Sequence, residues 1–312
     1  MRVIQKGIDK LNWQEAFKKE LVAQDLSPAT VKAYMYDISV FEKWYQQIDF
    51  KELKLSVITP FDLTTFRQYL TNQKNQRPTS VNRRINTLKR LFAWAALHRL
   101  VRENVSEEVK FIRYGQKRQP KALNMKEIHA LLRAAGQSTH NLAKRNYALV
   151  QLLLQTGLRI GEVANLKLSD MVLNSKYGYV RVKDGKGLKV RDVPLNASAR
   201  RAIQKYLETR TALSQDSYLF NSKRGTAISL RALQQIVFEL AKKSHITRIS
   251  VSAHTLRHTF ATHYLKQNPG KLVDLASLMG HDSLDTTACY TRPSDEDLAD
   301  DLENSELNIY DD

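Results

Sequence analysis

Residues Tyr177–Leu195 read YGYVRVKDGKGLKVRDVPL, and they interrupt an otherwise helical chain. β-Branched residues alternate on both sides of Asp184-Gly185-Lys186-Gly187, a period of two rather than 3.6, which predicts a β-hairpin with a tight turn. Lys186 is then expected at the exposed hairpin tip. A lone hairpin among helices sets the expected fold class: mostly α, of α+β type, with a small antiparallel β-sheet in the C-terminal part.

Helical signals surround it. Just upstream, NLAKRNYALVQLLLQTG ends at Gly157, a C-cap glycine, and the helix before that opens at Asn124 with Glu127 as capping-box partner. Downstream, helices are expected at 196–209, 229–243, 254–267, 271–279 and about 283–290. In the first third, Ser27-Pro28, Thr59-Pro60 and Pro78 each place proline at a helix start. Val31, Tyr34, Ile38 and Phe41 recur at helical spacing, as do Ile85, Leu88, Phe92 and Ala95. Residues 11–112 therefore read as a bundle of about four helices. Residues 113–121, RYGQKRQPK, carry four basic side chains and no apolar periodicity, the signature of a linker.

Charge restricts the partner. The 312-residue chain has a net charge of +17. Residues 294–312 hold nine acids and no Lys or Arg, which leaves +26 over residues 1–293. Such an excess points to a polyanion, because neutralising phosphates and releasing their counterions dominates nucleic-acid affinity. Arg83, Arg84, Lys89 and Arg90 flank or oppose the apolar stripe of their helix and are candidate DNA contacts, with a solvated face as the plain alternative. Arg231 is a further candidate. No run approaches the roughly 18 apolar residues of a membrane span, and the N-terminus lacks the apolar stretch of a signal peptide, so a cytoplasmic location with no membrane partner is expected. Cys289 is the single cysteine, which excludes an intramolecular disulfide framework and a multi-cysteine zinc cluster; a small buried side chain is expected there.

The stretch HTLRHTFATH, His254–His263, tests metal against phosphate. On a helix, His254, Arg257 and His258 share a face, while His263 lies roughly opposite His254. A zinc protease motif needs Glu directly after the first His, and here Thr255 stands. A permanent cation at Arg257 also repels a dication, so no metal is expected. A guanidinium beside an imidazole suits phosphate instead. Other parts of such a site lie elsewhere: Arg159 in TGLRIGEVANL with Glu162 to orient it, Lys186, His281 in LMGHDS, and Tyr290 in TTACYTRP.

In this order and spacing the sequence resembles the tyrosine recombinase family of phage-integrase and Xer-type site-specific recombinases, across residues about 150–292. The segments that carry the likeness are LLLQTGLRIGEVANLKLSD, VRVKDGKGLKVRDVPL and HTLRHTFATHYL…LMGHDSLDTTACYT. The resemblance implies that Arg159 and Arg257 clamp the scissile phosphate, that Lys186 and His254 assist proton transfer, that His281 supports the phosphate, and that Tyr290 is the nucleophile. It implies a core-binding domain at 1–112, a linker at 113–121, a catalytic domain at 122–293 and a tail at 294–312 that docks on a neighbouring protomer. The implied partner is double-stranded DNA bearing a specific recombination site, held by a homotetramer, with room for a paralogous recombinase or an accessory DNA-bending protein; no cofactor is implied. His258 and His263 are expected to be scaffold. After the Tyr-Thr pair the family frequently has histidine; here Arg292 stands, a candidate DNA-backbone contact.

The residue types suit this chemistry in their own right. Displacement at a phosphodiester builds negative charge on the equatorial oxygens, which fixed cationic donors stabilise without metal. Neighbouring cations are expected to ease ionisation of Tyr290. His254 is suited to accept a proton near neutral pH. In the tail, Ser294 is expected to cap a short helix with Asp297 at its third position, and Leu298 with Leu302 to form a small apolar stripe, with a disordered solvating tail as the plain alternative. Two rivals share parts of the inventory: a type IB topoisomerase-like relaxing enzyme, and a non-catalytic sequence-specific DNA-binding protein in which Tyr290 is structural.

Overall fold

The computed structural model describes residues 13–49, 53–113, 120–137, 142–183, 190–211, 213–222, 226–292, 298–299 and 302–305. The chain divides into two compact units, Met1–Gln116 and Lys117–Asp312.

The first unit contains α1 (Trp13–Ala23), α2 (Pro28–Asp49), α3 (Pro60–Gln68) and α4 (Pro78–Leu97). The sequence marks their starts. Thr59 Oγ1 accepts from Asp62 N at 3.3 Å while the Asp62 carboxylate accepts from Thr59 N at 2.9 Å, and Ser27 Oγ accepts from Thr30 N at 3.2 Å. Ile38, Phe41, Phe66, Ile85, Leu88 and Phe92 form the core, with the Phe41 and Phe66 rings edge to face at 5.0 Å. The stripe read on α2 is buried at Val31, Ile38 and Phe41, and Tyr34 lies half-buried at its margin.

The basic residues of α4 take separate places. Asp37, 1% exposed, accepts two hydrogen bonds from Arg83, one from Arg84 at 3.1 Å and one from Thr87 Oγ1 at 3.0 Å. Arg84 is itself buried and also donates to Gln76 Oε1 at 3.2 Å. It therefore serves the interior of the unit rather than an outer DNA-facing surface, because a buried carboxylate must be paired. Lys89 donates to the carbonyls of Ser106 and Glu107, and Arg90 to Tyr34 and Gln24. Arg83 keeps about half of its side chain in solvent.

The second unit is built around α6. After α5 (Met125–Gly136), α6 (Leu142–Thr156) is buried at every position from Ala148 to Leu154. A helix apolar around its circumference belongs in the middle of a fold. Around it pack α5, α8 (Ala197–Leu207) and α10 (Ala253–Gln267). Between α7 (Ile160–Asn165) and α8 lies an antiparallel sheet of β1 (Met171–Leu173), β2 (Gly178–Lys183) and β3 (Val190–Pro194), in that order. Val180 pairs with Val193 and Val182 with Arg191, so the two hairpin arms are in register. Residues 184–189, Lys186 included, lie outside the described residues. Further helices among the described residues are α9 (Leu230–Lys243), α11 (Leu272–Met279) and α12 (Leu284–Ala288).

Gly157 ends α6 with φ +62°, and a Cβ there would lie 2.3 Å from Phe260 Cδ1. Both the left-handed backbone and the close approach of α10 demand glycine. The resulting sharp turn puts Arg159 at the N-cap of α7. Residues 298–299 and 302–303 are helical with Leu298 and Leu302 exposed; Ser294 and Asp297 lie outside the described residues.

Candidate active site

Three groups of side chains meet in the second unit. The first centres on Glu162, one turn into α7. Its carboxylate accepts from Arg159 N at 2.8 Å, from Arg159 Nη1 at 3.0 Å and from Arg191 Nη2 at 2.8 Å. Burial raises the Glu162 pKa, but the hydrogen bonds and charges of Arg191 and Arg159 outweigh it and leave the carboxyl below its ordinary value. Glu162 thus orients Arg159, as its spacing predicts. Arg159 Nη2 also donates to the Gly280 carbonyl at 2.8 Å, and Arg191 Nε to that of Leu278 at 2.9 Å. Gly280 has φ +64°, and a Cβ on it would meet Arg191 Nη1 at 2.6 Å. Only glycine lets this turn lie against the guanidinium.

The second is Arg257, 3% exposed on α10. It donates to the carbonyls of Gly157 at 2.5 Å and Met279 at 2.9 Å, and to His281 Nε2 at 2.7 Å. Because a guanidinium only donates, His281 Nε2 accepts; its proton sits on Nδ1, which donates to Thr287 Oγ1 at 2.7 Å. Burial and the adjacent Arg159 bring Arg257 down to about 10, so it stays charged at neutral pH. Burial, then Arg257, Arg159 and Arg191, hold His281 down at about 4, so it stays neutral. Among the described residues no carboxylate stands within ion-pair distance of Arg257.

The third group is His254, His258 and Tyr290, of which His254 is exposed, His258 half-buried and Tyr290 buried. The two imidazoles meet edge to face at 4.6 Å, and His258 Nδ1 lies 2.6 Å from the Tyr290 hydroxyl. Burial, His254 and Arg257 lower His258 to about 4. Burial, Arg257 and Arg159 also lower His254. Tyr290 is pushed up to about 12, chiefly by burial, with Arg257 acting in the opposite sense. The expectation that cations ease its ionisation is therefore reversed in net effect: desolvation of the phenolate exceeds the pull of Arg257.

Of the six catalytic candidates, Arg159, His254, Arg257, His281 and Tyr290 come together, and Lys186 lies outside the described residues. Arg159, Arg191 and His281 border a cleft of about 1290 Å³. Arg231 is exposed in the first turn of α9, and Arg292 is exposed two residues after Tyr290. His263 Nε2 meets the Leu123 carbonyl at 2.9 Å, a bond that ties α10 to the segment before α5. Cys289 is half-buried rather than buried, its thiol donating to the Thr286 carbonyl. Among the described residues no three His, Cys, Asp or Glu side chains are grouped so as to hold a metal ion, and no helix is long and apolar enough to cross a membrane.

Three members are additions to the sequence reading. Arg191 was legible in principle: buried Val193 fixes the inward face of β3, and alternation places Arg191 on that face, where a cation needs a reason to be. Thr287 lies one turn before Tyr290. His258, expected as scaffold, touches the Tyr290 hydroxyl, and nothing local in HTLRHTFATH marks that contact, because its partner is 32 residues away.

Known proteins share this arrangement of segments. The phage integrase family model matches residues 121–297, and the phage integrase N-terminal SAM-like domain matches residues 15–99. Tyrosine recombinase XerC of Staphylococcus aureus (strain bovine RF122 / ET3-1) is 31% identical over 291 residues, covering 91% of this chain and 93% of the relative. Tyrosine recombinase XerD of Listeria monocytogenes serovar 1/2a is 30% identical over 280 residues, covering 87% and 90%. The crystal structure of XerH site-specific recombinase in a post-cleavage complex with palindromic difH substrate superposes with a TM-score of 0.73 at 22% identity, covering 93% of this chain and 83% of that one. At that identity the likeness is one of fold.

Proposed function

The chain belongs to the phage integrase family of tyrosine recombinases, and from that membership we propose that it is a site-specific recombinase that cuts and rejoins double-stranded DNA through a 3′-phosphotyrosyl intermediate. The observation that carries this reading is the convergence of Arg159, Arg257, His281 and the Tyr290 hydroxyl within one unit, with Arg257 buried and carrying no paired carboxylate among the described residues. Guanidiniums fixed on carbonyls need no reorganisation when charge develops on the phosphoryl oxygens. Tyr290 Oη attacks phosphorus and the 5′ oxygen leaves with its electron pair, protonated by Lys186; His254 assists proton movement. The phosphotyrosyl diester retains the bond energy, so religation to a new 5′-hydroxyl needs neither ATP nor metal.

Paired strand exchanges between two duplexes require four nucleophiles, one per cut strand, hence a tetramer on DNA. Residues 1–112 act as the core-binding clamp, 113–121 as linker and 122–293 as catalytic domain. Residues 294–312 dock on a neighbouring protomer. A groove of about 790 Å³ lined by Ile128, Leu154, Phe260, Tyr264 and Leu278 offers an apolar seat for Leu298 and Leu302 of that neighbour. Deleting residues 294–312 should then impair recombination more than single-site binding, and an unchanged recombination rate would refute the docking.

The decisive assay first recovers a site by covalent trapping of fragmented genomic DNA, then places two copies in a supercoiled plasmid. Exchange between the copies is expected. Relaxation of a plasmid without the site would assign the chain to the topoisomerase-like alternative, and tight binding without any strand cleavage would assign it to the DNA-binding alternative.

A further inference from the structure

We propose that His258 is the group that takes the proton from Tyr290 as its hydroxyl attacks phosphorus, an assignment that rests on Tyr290 being the nucleophile. The hydrogen bond at 2.6 Å is within the 2.6–3.2 Å reach that proton transfer requires. Both groups are largely withdrawn from water, so the contact is not a loose surface encounter. His258 is faced by His254 and Arg257 from its own helix, by His281 from the turn after α11, and by Tyr290 from the end of α12, with Cys289 beside that tyrosine. None of these facing groups is an acid that would hold the imidazole protonated. Burial and the cationic neighbour keep His258 neutral across the physiological range, with a lone pair available on Nδ1 when the ring proton sits on Nε2. His254 stands one ring further from the nucleophile, set edge to face against His258.

The step balances. The Tyr290 O–H bond breaks and its proton goes to His258 Nδ1. The Oη electron pair forms the O–P bond while the P–O5′ bond breaks towards the leaving oxygen, which takes its proton from Lys186. Moving the proton from phenol to imidazole before attack is strongly uphill, since one is pushed to about 12 and the other to about 4. Transfer therefore accompanies O–P bond formation. In religation the imidazolium returns the proton to the departing Tyr290 oxygen.

The test uses the full chain and the duplex recovered by trapping, synthesised with sulfur at the bridging 5′ position so that the leaving thiolate needs no proton. Proton donation then drops out and only the base is read. His258→Ala is expected to slow adduct formation by about 10²–10⁴-fold while binding the duplex. Its rate should rise roughly tenfold per pH unit between pH 6.5 and 8.5, following tyrosinate, whereas the wild-type rate stays flat. Added imidazole should restore part of the alanine variant's rate. His258→Gln retains a hydrogen-bond acceptor but no basic nitrogen, and should remain slow. A wild-type rate in either variant, a pH profile parallel to wild type in both, or full recovery by glutamine would overturn the proposal. If the wild-type protein itself forms no adduct at Tyr290, it is the nucleophile assignment that fails.

Discussion

Each unit buries a guanidinium beside a polar cluster, and the two are balanced in opposite ways. In the first, Arg83 and Arg84 converge on Asp37, whose oxygens also accept from Thr87; the buried Arg84 has a carboxylate for its charge, and Arg83 keeps about half of its side chain in solvent. In the second, Arg257 donates three N–H bonds, to two backbone carbonyls and a neutral imidazole, which hold it in place without cancelling its charge. Glu162 is already shared by Arg159 and Arg191. Of the two buried guanidiniums, Arg84 therefore has a carboxylate within ion-pair distance, and Arg257 has none among the described residues. What balances a buried arginine decides its role. A carboxylate makes it part of the scaffold; carbonyls alone keep its field available to an anion.

The contrast can be broken by exchanging which property each cluster loses. Arg257→Ala should cut adduct formation by about 10³-fold, roughly 4 kcal/mol of transition-state stabilisation, in a gel assay that also shows the duplex still bound. Arg257→Lys should recover little, because one ammonium cannot serve both carbonyls and a phosphate. Asp37→Ala should instead destabilise the fold by about 3 kcal/mol in urea unfolding, since it strands Arg84 without a counter-charge, and should leave cleavage per folded molecule near wild type. A stable Asp37→Ala protein, or one folded but unable to cleave, would remove the distinction. Gly280→Ala forces a side chain into a left-handed backbone and against Arg191, which should cost about 1–2 kcal/mol and slow cleavage about tenfold by displacing that guanidinium.

The smallest effect is on pH. His258 and His281 sit below their unfolded value of 6.5, at about 4, so between those values the unfolded chain binds more protons than the folded one. Their contribution is complete above pH 6.5 and is lost as pH falls towards 4. Glu162, also depressed, loses its contribution further down, as pH drops below the ordinary carboxylate value of 4.5. The thermal midpoint should therefore decline from pH 6.5 to 4, and His281→Asn should flatten that decline; an unchanged slope would show that these histidines are not held neutral.

Helix starts and the hairpin were legible because they depend on neighbours in sequence: Thr59-Pro60, Asn124 with Glu127, and the alternation about Asp184-Gly185 are local signals. The five described catalytic candidates were legible through residue type and order. What escaped is set by tertiary contacts. Arg84 looks like any helix-surface arginine until Asp37, 47 residues earlier, is seen opposite it. The tyrosine's raised pKa depends on burial with Ala261 of α10 and Leu275 and Met279 of α11, which charge counting along the chain does not register.

If Tyr290, inside the cationic cluster, becomes covalently joined to DNA, full-length protein trapped on its site in buffer containing chelator, digested and analysed by mass spectrometry, should yield a nucleotide attached through its 3′-phosphate to Tyr290, with the adduct lost in Tyr290→Phe. A nucleotide on any other residue, or cleavage that leaves no protein-linked DNA, would contradict the account.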